Sequence, residues 1–421
     1  MVRPHTPAVP ERAPHGVRAL SDFRAITTRF PMTSTASSAS AVPANDWMSV
    51  RITRIETIPL KVKLDRVAAG STLKLTHRCT IVTRVHTDAG IVGECFNGND
   101  DELQPAVRRL IHDELEPLLL GQPVCAIEDL WARTRRATEP FLRDRRVALR
   151  AQACIDSALH DAVGKLAGAP IHQLWGGAKT EVPVIALGGY YRQENDLGAL
   201  ADEVAELKAF GIHGMKLKLG ALSPAEDALR AQAVRRAGGD HFMLACDANQ
   251  GWTRPQALEF ATRVKDLSLA WLEEPCHWDN DRADMAVVRA VSGIPIAAGQ
   301  SELSRFGCRD LLNAGAIDIC NFDASWGAGP TEWRRVAALA HAHQVHVLQH
   351  LEPQIGLMMS AGVPNGFVAE VMLPWRDPFF YQLIGNQAAR PFDNGVYRLP
   401  TGPGWGMQIN MDYLSSVRRT D

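Results

Sequence analysis

Eight short apolar segments, separated by amphipathic stretches, constrain the fold of this chain more than any other feature. They follow Gly177, recur about every 20–30 residues and end in polar or titratable residues. A closed (β/α) barrel needs such a repeat. The predicted strands are Val182–Leu187, Gly214–Leu219, Phe242–Asp247, Leu269–Glu273, Ile294–Ala298, Asp318–Phe322, Val345–Gln349 and Phe367–Val371. The predicted helices between them include Leu197–Phe210, Pro224–Arg236, Arg254–Leu267 and Thr331–His343.

An open, doubly wound sheet is the competing fold for alternating strands and helices. Such a sheet usually carries a glycine-rich phosphate turn, G-x-G-x-x-G, after its first strand. No predicted strand here is followed by that motif, and Gly188-Gly189 after the first strand is too short a match. The sequence therefore favours the barrel.

The region before Gly177 has a different order of elements. Ile52–Val62 and Cys79–His86 alternate as strands do, and Asp88-Ala89-Gly90 is typical of a hairpin turn. Helical periodicity follows over Pro105–Leu119 and again over Ile127–His160. Strands first and helices afterwards predict a small α+β unit.

Residues 1–45 differ in composition from the rest of the chain. They are rich in Pro, Arg, Ser, Thr and Ala, and no hydrophobic segment follows the early arginines. A secretory signal is therefore not indicated. We expect this extension to be disordered and to lie outside the fold.

Charge and cysteine usage exclude several classes of function. The 421 residues carry 45 Lys and Arg against 47 Asp and Glu, a formal net charge of −2. This balance gives no electrostatic case for nucleic acid or an anionic membrane as a partner. No stretch approaches the roughly 20 apolar residues of a spanning helix. The eight cysteines form no C-x-x-C pair, which favours free thiols in a reducing cytoplasm over zinc or disulfides.

Polar side chains follow seven consecutive predicted strands, where the active sites of barrels gather. Three of them are carboxylates, about one strand–helix unit apart: Asp247, Glu273 and Glu302. Converging carboxylates need a cation to stay ionised, and oxygen ligands suit Mg²⁺. The alternative is that each acid caps a helix or pairs with a surface arginine. The remaining candidates at these strand ends are Lys216, Lys218, Asn249, Gln300, Asp323, His350 and Glu370.

Two groups of side chains are candidate bases. Lys216 and Lys218 point to the same side of their strand, so their mutual repulsion is expected to lower the pKa of at least one of them. A neutral lysine can accept a proton. Two solvated lysines are the alternative, but a strand end in a mouth lined with acids favours the base. Asp323 and His350 end neighbouring strands, so the carboxylate is expected to fix the imidazole tautomer and raise its basicity. A purely structural histidine is the alternative.

The ordered set of these motifs resembles the mandelate racemase subgroup of the enolase superfamily. The fold that this resemblance implies is a capping domain over residues 50–175, a (β/α)7β modified TIM barrel over residues 176–375, and a C-terminal segment, 376–421, that returns to the cap. The matching pieces are Lys216-Leu217-Lys218, Asp247-Ala248-Asn249, Trp271-Leu272-Glu273-Glu274-Pro275, Asp323, His350 and Glu370, with Ala158-Leu159-His160-Asp161 and Leu174-Trp175-Gly176-Gly177 before the barrel.

The resemblance also implies a reaction. A Lys or His base removes the proton α to a carboxylate, and Mg²⁺ stabilises the enediolate that forms. Lys218 would act on one face of the α-carbon, and His350 with Asp323 on the other. Lys216 would lower the pKa of Lys218 and contact the substrate carboxylate. A protonated Glu370 would donate a hydrogen bond to that carboxylate. Asn249 and Gln300 are expected to bind substrate, and a homo-oligomer is expected by the same resemblance.

The chain departs from the family pattern at one candidate metal ligand. The family commonly has Gly-Glu after the fifth strand, whereas this chain reads Gly299-Gln300-Ser301-Glu302. Either Glu302 or the amide of Gln300 is the third ligand. We expect Glu302, because a third negative charge better offsets the cation.

The overall reaction remains open between three alternatives. By analogy with the subgroup, dehydration of an acid sugar to a 2-keto-3-deoxy acid comes first. Racemisation or epimerisation of a 2-hydroxy acid is the second, and a catalytically inactive barrel scaffold is the third. Cap loops in the regions Asp65–Leu75 and Asn97–Glu102 are expected to contact the distal part of the substrate.

Overall fold

A computed structural model of the chain describes residues 44–98, 102–192, 197–388 and 391–418. The segment expected to be disordered, residues 1–45, lies outside these ranges except for its last two residues, which open a 3₁₀ helix, Ala44–Ser49. The middle of the predicted loop Asn97–Glu102 also lies outside them. None of the helices in the described ranges combines the length and the apolar character that crossing a membrane requires.

The N-terminal part contains an antiparallel sheet covered by helices. Its strands are β1 (Ile52–Ala69), β2 (Lys74–Thr87) and β3 (Val92–Asn97), in that spatial order. The predicted hairpin turn joins β2 to β3, and Gly90 adopts the positive φ that such a turn needs. The helices are α1 (Gln104–Leu110), α2 (Glu116–Leu119), α3 (Ile127–Arg135), α4 (Arg145–Ala167) and α5 (Ile171–Leu174), with a π-helical turn, Ile111–Leu115, between α1 and α2.

The expected loop Asp65–Leu75 is mostly strand. Ala68 pairs with Leu75 and Ala69 with Lys74, so β1 and β2 extend beyond their predicted ends. A tight turn closed by a hydrogen bond from Gly70 N to Leu73 O joins them. The polar residues of this hairpin obscured the strand pattern, because few of its side chains face a core.

A closed barrel of eight strands and seven intervening helices follows, which confirms the predicted (β/α)7β fold. Neighbouring strands are parallel, β11 pairs with β4, and a bridge between Val347 and Gly366 links β10 to the approach of β11. The strands are β4 (Glu181–Gly188), β5 (Gly214–Lys218), β6 (Met243–Asp247), β7 (Leu272–Glu273), β8 (Ile296–Ala298), β9 (Ile319–Cys320), β10 (His346–Val347) and β11 (Ala369–Val371). The helices are α6 (Leu197–Ala209), α7 (Pro224–Gly238), α8 (Arg254–Arg263), α9 (Asp281–Ser292), α10 (Arg305–Asn313), α11 (Pro330–Ala342) and α12 (Pro353–Ala361).

Apolar side chains fill the barrel, so the site can only lie at one end of it. Alternate residues of successive strands point inward and pack together. They are all nearly fully buried: Ile185, Ala245, Trp271, Ala297, Ile319, Leu348 and Val368. The titratable residues lie beyond this layer, at the carboxyl ends of the strands.

Buried polar contacts join the N-terminal sheet to the mouth of the barrel. Arg78 on β2 is 2% exposed and forms ion pairs with Glu352 and Asp377, at 3.4 and 3.2 Å. On the opposite flank, the Asp156 carboxylate accepts hydrogen bonds from the backbone N and Oγ1 of Thr331. These contacts hold the β1–β3 sheet and α4 against the barrel.

The last segment of the chain pairs with both parts. A hairpin of β12 (Phe392–Asp393) and β13 (Val396–Arg398) adds β13 antiparallel to β4. Helix α13 (Met411–Val417) follows, and a bridge between Leu60 and Arg418 brings the chain back to β1.

Candidate active site

Two lysines and two carboxylates converge at the ends of β5, β6 and β7. Lys218 is in register with Asp247, and Asp247 with Glu273, so their side chains stand next to one another on adjacent strands. Lys218 Nζ donates to Asp247 Oδ2 at 2.6 Å, and Lys216 Nζ to Glu273 Oε1 at 2.7 Å. All four side chains are almost completely buried.

The expected lowering of a lysine pKa is wrong in this structure. Burial lowers the pKa of Lys218, but the charge of Asp247 outweighs it and the pKa is raised. For Lys216, Glu273, Glu370 and Asp247 together overcome the same burial effect. The repulsion between the two ammonium groups is present but smaller than these attractions, because the carboxylates lie within hydrogen-bond distance.

The two carboxylates experience this cluster differently. Burial raises the pKa of Asp247, but the two lysines more than compensate and hold it at about 2. Burial raises the pKa of Glu273 well above its usual range. The charge of Lys216 lowers this pKa, but the adjacent carboxylates of Asp247 and Glu370 oppose that effect. Glu273 also accepts a hydrogen bond at 2.9 Å from Nε1 of Trp271, which orients its carboxylate.

The structure brings His350 and Asp323 together as the sequence predicts. His350 Nδ1 lies 2.9 Å from Asp323 Oδ2, which leaves Nε2 as the other ring nitrogen. The expected gain in basicity is wrong, because burial lowers the pKa of His350 to about 3. Burial also raises the pKa of Asp323 to about 7. The indole of Trp326 packs beside the imidazole, with ring centroids 5.1 Å apart.

Glu370 and Asn249 complete the cluster. Glu370 accepts hydrogen bonds from Lys216 Nζ and, at 2.8 Å, from the backbone N of Leu351. Its predicted use as a protonated donor therefore stays a prediction. Asn249 Oδ1 accepts from Lys218 Nζ at 3.0 Å, and its backbone has a positive φ of 44°. Asn249 thus helps to hold the ammonium group of Lys218 in place.

Glu302 lies apart from the other two predicted metal ligands, contrary to expectation. Its carboxylate accepts a hydrogen bond at 2.6 Å from Arg282 Nη2. Strand β8 ends at Ala298, and a turn closed from Glu302 N to Gly299 O follows it. Strand alternation, on which the prediction rested, therefore does not extend to Glu302. Within the described ranges no three His, Cys, Asp or Glu side chains are grouped to hold a metal ion.

Gln300 is the residue of this turn that faces inward. It is 6% exposed, and its Nε2 donates to Glu274 Oε2 at 2.7 Å. Its Oε1 is a buried acceptor for which the described residues supply no donor. Such unsatisfied acceptors are rare and often mark a missing ion or water. The carboxylate oxygens of Asp247 and Glu273 and this amide oxygen are donors of the kind that Mg²⁺ prefers.

Two polar residues at the mouth escaped the sequence-based prediction. Tyr190 follows β4, the only barrel strand whose end was given no candidate, because neither neighbouring residue is charged. Arg376 lies beyond Glu370 and donates to the Tyr190 hydroxyl at 3.3 Å. The available signal was the Gly188-Gly189-Tyr190 turn, whose glycines let a bulky side chain follow a tightly packed strand end.

Comparisons with known proteins find relatives of both parts of the chain. Residues 55–176 match the model of the mandelate racemase/muconate lactonizing enzyme N-terminal domain, and residues 199–413 match the enolase C-terminal domain-like model. An arabinonate dehydratase from Saccharolobus solfataricus is 31% identical over 78% of this chain and 88% of its own length. A D-galactarolactone cycloisomerase from Agrobacterium fabrum is 32% identical over 88% of this chain and 100% of its own length.

A solved structure is similar over the same region. It is a mandelate racemase/muconate lactonizing enzyme from a marine actinobacterium in complex with magnesium. It is 45% identical, covers 88% of this chain and 100% of that chain, and superposes with a TM-score of 0.82.

Proposed function

Since the chain belongs to the mandelate racemase/muconate lactonizing enzyme family of the enolase superfamily, we propose that it dehydrates an acid sugar with the help of Mg²⁺. The proton α to the substrate carboxylate would leave first, and the hydroxyl on the β-carbon would then leave as water. The product would be a 2-keto-3-deoxy acid.

The observation that carries this proposal is the convergence of two different proton-transfer groups on one carboxylate cluster. Lys218 contacts Asp247 directly, and the His350 imidazole lies within reach of the charges of Glu370, Lys216 and Lys218. A reaction that removes one proton and supplies another can use such a pair of groups, one as the base and one as the acid.

Asp247, Glu273 and the Oε1 of Gln300 are the proposed ligands of Mg²⁺. When bound, the ion would neutralise the negative charge that develops on the substrate carboxylate as the α-proton leaves. Trp271 would keep the Glu273 carboxylate in its ligating orientation through the hydrogen bond from Nε1. Glu274 would play the same part for Gln300.

Lys218 is the proposed base. The charge of Asp247 raises the pKa of Lys218, whereas the neighbouring ammonium of Lys216 lowers it. A divalent cation held by Asp247 would offset the first effect and leave the second, which favours the neutral amine that a base requires. Asn249 would direct Nζ of Lys218 toward the α-carbon, because its Oδ1 accepts a second hydrogen bond from this ammonium group. Lys216 and Glu370, which are hydrogen-bonded to each other, would contact the substrate carboxylate.

His350 is the proposed acid for the leaving hydroxyl. Its Nδ1 is held by Asp323, so Nε2 is the nitrogen that would meet the substrate. Burial lowers its pKa to about 3, so its protonation would depend on the negative charge that the bound substrate brings into the site. The same pair of groups would serve racemisation of a 2-hydroxy acid if no leaving group were present.

Proton exchange tests the proposal directly. The protein with Mg²⁺ is incubated in deuterated water with a panel of acid sugars, and α-deuteration and product are followed by NMR and mass spectrometry. We expect exchange with formation of a 2-keto-3-deoxy acid, loss of exchange in Lys218→Ala, and exchange without dehydration in His350→Asn. Exchange with inversion and no keto acid would instead identify a racemase. Silence on every acid would favour the inactive scaffold.

A further inference from the structure

Arg376 is a buried cation to which the described part of the chain supplies no anionic partner. It is 4% exposed and follows Glu370, the last candidate residue of the barrel mouth, by six positions. Its guanidinium lies over the ring of Tyr190, with Cζ 4.8 Å from the centroid, and its Nη2 donates to the hydroxyl of that residue. Within the described ranges its Nε has no hydrogen-bond partner. No ion pair involving it is found there either.

A neighbouring arginine with a structural role has carboxylate partners within the fold. Arg78 is buried to the same degree, and it pairs with both Glu352 and Asp377. Asp377 is the residue directly after Arg376, yet it serves Arg78. Buried arginines are almost always paired, because an isolated charge is costly to remove from water. Arg376 is therefore half of an ion pair whose other half is absent from the chain's described residues.

Tyr190 connects Arg376 to the reaction site. Its side chain packs with Ala68 of β1, with Leu351, which adjoins His350, and with Met372, which lies two residues beyond Glu370. Burial raises the pKa of Tyr190, but the positive charges of Arg376, Lys218 and Lys216 more than offset it. The phenol thus accepts a hydrogen bond from the guanidinium of Arg376 and lies close enough to the two lysines of the reaction site for their charges to lower its pKa.

We infer that Arg376 and the Tyr190 hydroxyl bind a second carboxylate of the substrate, so that the acid sugar is a dicarboxylate, an aldarate, and not a monocarboxylate aldonate. This inference rests on the proposed function for the identity of the first carboxylate site. The guanidinium would donate from Nη and Nε to the distal carboxylate. The Tyr190 hydroxyl accepts from Arg376 and so keeps its own proton for the same carboxylate.

Matched pairs of substrates test the inference. Steady-state kcat/KM is measured with Mg²⁺ for galactarate against galactonate and for glucarate against gluconate. We expect the wild-type protein to favour one of the diacids over its monoacid by about 30-fold or more, as loss of one partner of a buried charge pair implies. In Arg376→Met the diacid advantage should disappear, mainly through KM, while the monoacid rate changes less than about threefold.

Stability and a control variant separate this role from a structural one. Arg376→Met leaves no carboxylate without a partner, so its Tm should not fall below that of the wild type. Arg309→Gln removes a half-exposed charge that stacks on Phe306 and pairs with Asp310, on a helix of the outer ring. It should leave the diacid preference unchanged. A lowered Tm with equal loss on both acids, or an equal effect of Arg309→Gln, would overturn the inference.

Binding distinguishes failure of the inference from failure of the proposed function. Galactarate and galactonate are titrated calorimetrically into Lys218→Ala in the presence of Mg²⁺, where no turnover is expected. Tighter binding of the diacid that is lost in the double variant with Arg376→Met would support the second carboxylate site even if no acid were turned over. Turnover of aldonates as efficient as that of aldarates would overturn the site and leave the dehydratase proposal intact.

Discussion

Replacing Gln300 should weaken Mg²⁺ binding much more than replacing Glu302, although only Glu302 carries a negative charge. Gln300→Ala deletes a buried oxygen to which no described residue donates, and it also removes the hydrogen bond to Glu274. Glu302→Gln changes a carboxylate that is already engaged with Arg282. We expect the affinity for Mg²⁺ to depend on the position of a side chain relative to Asp247 and Glu273, and not on its charge.

The size of each effect follows from the interactions that each substitution removes. A hydrogen bond to a charged group contributes about 1.5–3 kcal/mol, and each 1.4 kcal/mol is tenfold in Kd. Gln300→Ala should therefore raise the Kd for Mg²⁺ by roughly 10- to 100-fold. Arg282 is 36% exposed, and a pair so open to solvent contributes about 1 kcal/mol or less. Glu302→Gln should therefore change the Kd for Mg²⁺ less than about threefold.

Calorimetric titration of MgCl₂ into protein treated with a chelator gives both constants. Gln300→Glu serves as a positive control, because a third carboxylate at this position should tighten Mg²⁺ binding. Circular dichroism melts verify that each variant is folded. If Glu302→Gln weakens binding more than Gln300→Ala does, the proposed ligand set is wrong.

Two further predictions concern residues that act from outside the reaction site. Trp271→Phe keeps an apolar ring in the barrel but removes the donor to Glu273. The Kd for Mg²⁺ should therefore rise by about tenfold in the same titration. Trp333→Phe should not change this Kd, because Trp333 is an equally buried indole whose Nε1 has no partner among the described residues. Burial raises the pKa of Asp156 to about 7. Between about pH 4 and 7 the folded chain therefore holds a proton that the unfolded chain has released. The free energy of unfolding should fall by up to ~1.4 kcal/mol per pH unit as the pH rises through this range. Asp156→Asn should flatten this slope in urea unfolding measured across the window, whereas the exposed Asp129→Asn should keep it; an unchanged slope in Asp156→Asn would contradict the assigned pKa.

The barrel could be predicted because its signal is repeated eight times. Each strand is short, and β7, β9 and β10 keep only two residues of regular pairing. Their apolar segments were nevertheless recognisable, because inward and outward faces are both buried in a barrel. The ends of the strands were less certain by one to three residues, since pairing stops where the chain turns toward the loops.

The charges of the site show what a sequence leaves undetermined. It places Lys216 and Lys218 on one side of a strand, which correctly implies that they repel each other. It does not give the 2.6 and 2.7 Å contacts to Asp247 and Glu273, which reverse the net effect on the pKa of each lysine. The sign of a pKa shift depends on distances that differ by about one ångström, because the interaction energy varies inversely with separation.

Glu302 and Gln300 show the same difficulty for the orientation of a side chain. Residues two positions apart on a strand point to the same side of it, but this strand ends at Ala298. Charge alone would make Glu302 the metal ligand, but the turn that follows the strand makes Gln300 the better candidate. A residue type indicates which ligand is chemically preferred, whereas the local backbone decides which residue can supply it.

Unpaired groups inside the site carry more information about function than the paired ones. Most buried charges here are balanced within the chain, as Arg78 is by Glu352 and Asp377. Among the described residues, the Oε1 of Gln300 lacks a donor and Arg376 lacks an anion. Each omission costs folding free energy, because a buried polar group loses its water without gaining a partner. At the mouth of the barrel a bound species could offset this cost, and the proposals above assign a cation to Gln300 and an anion to Arg376.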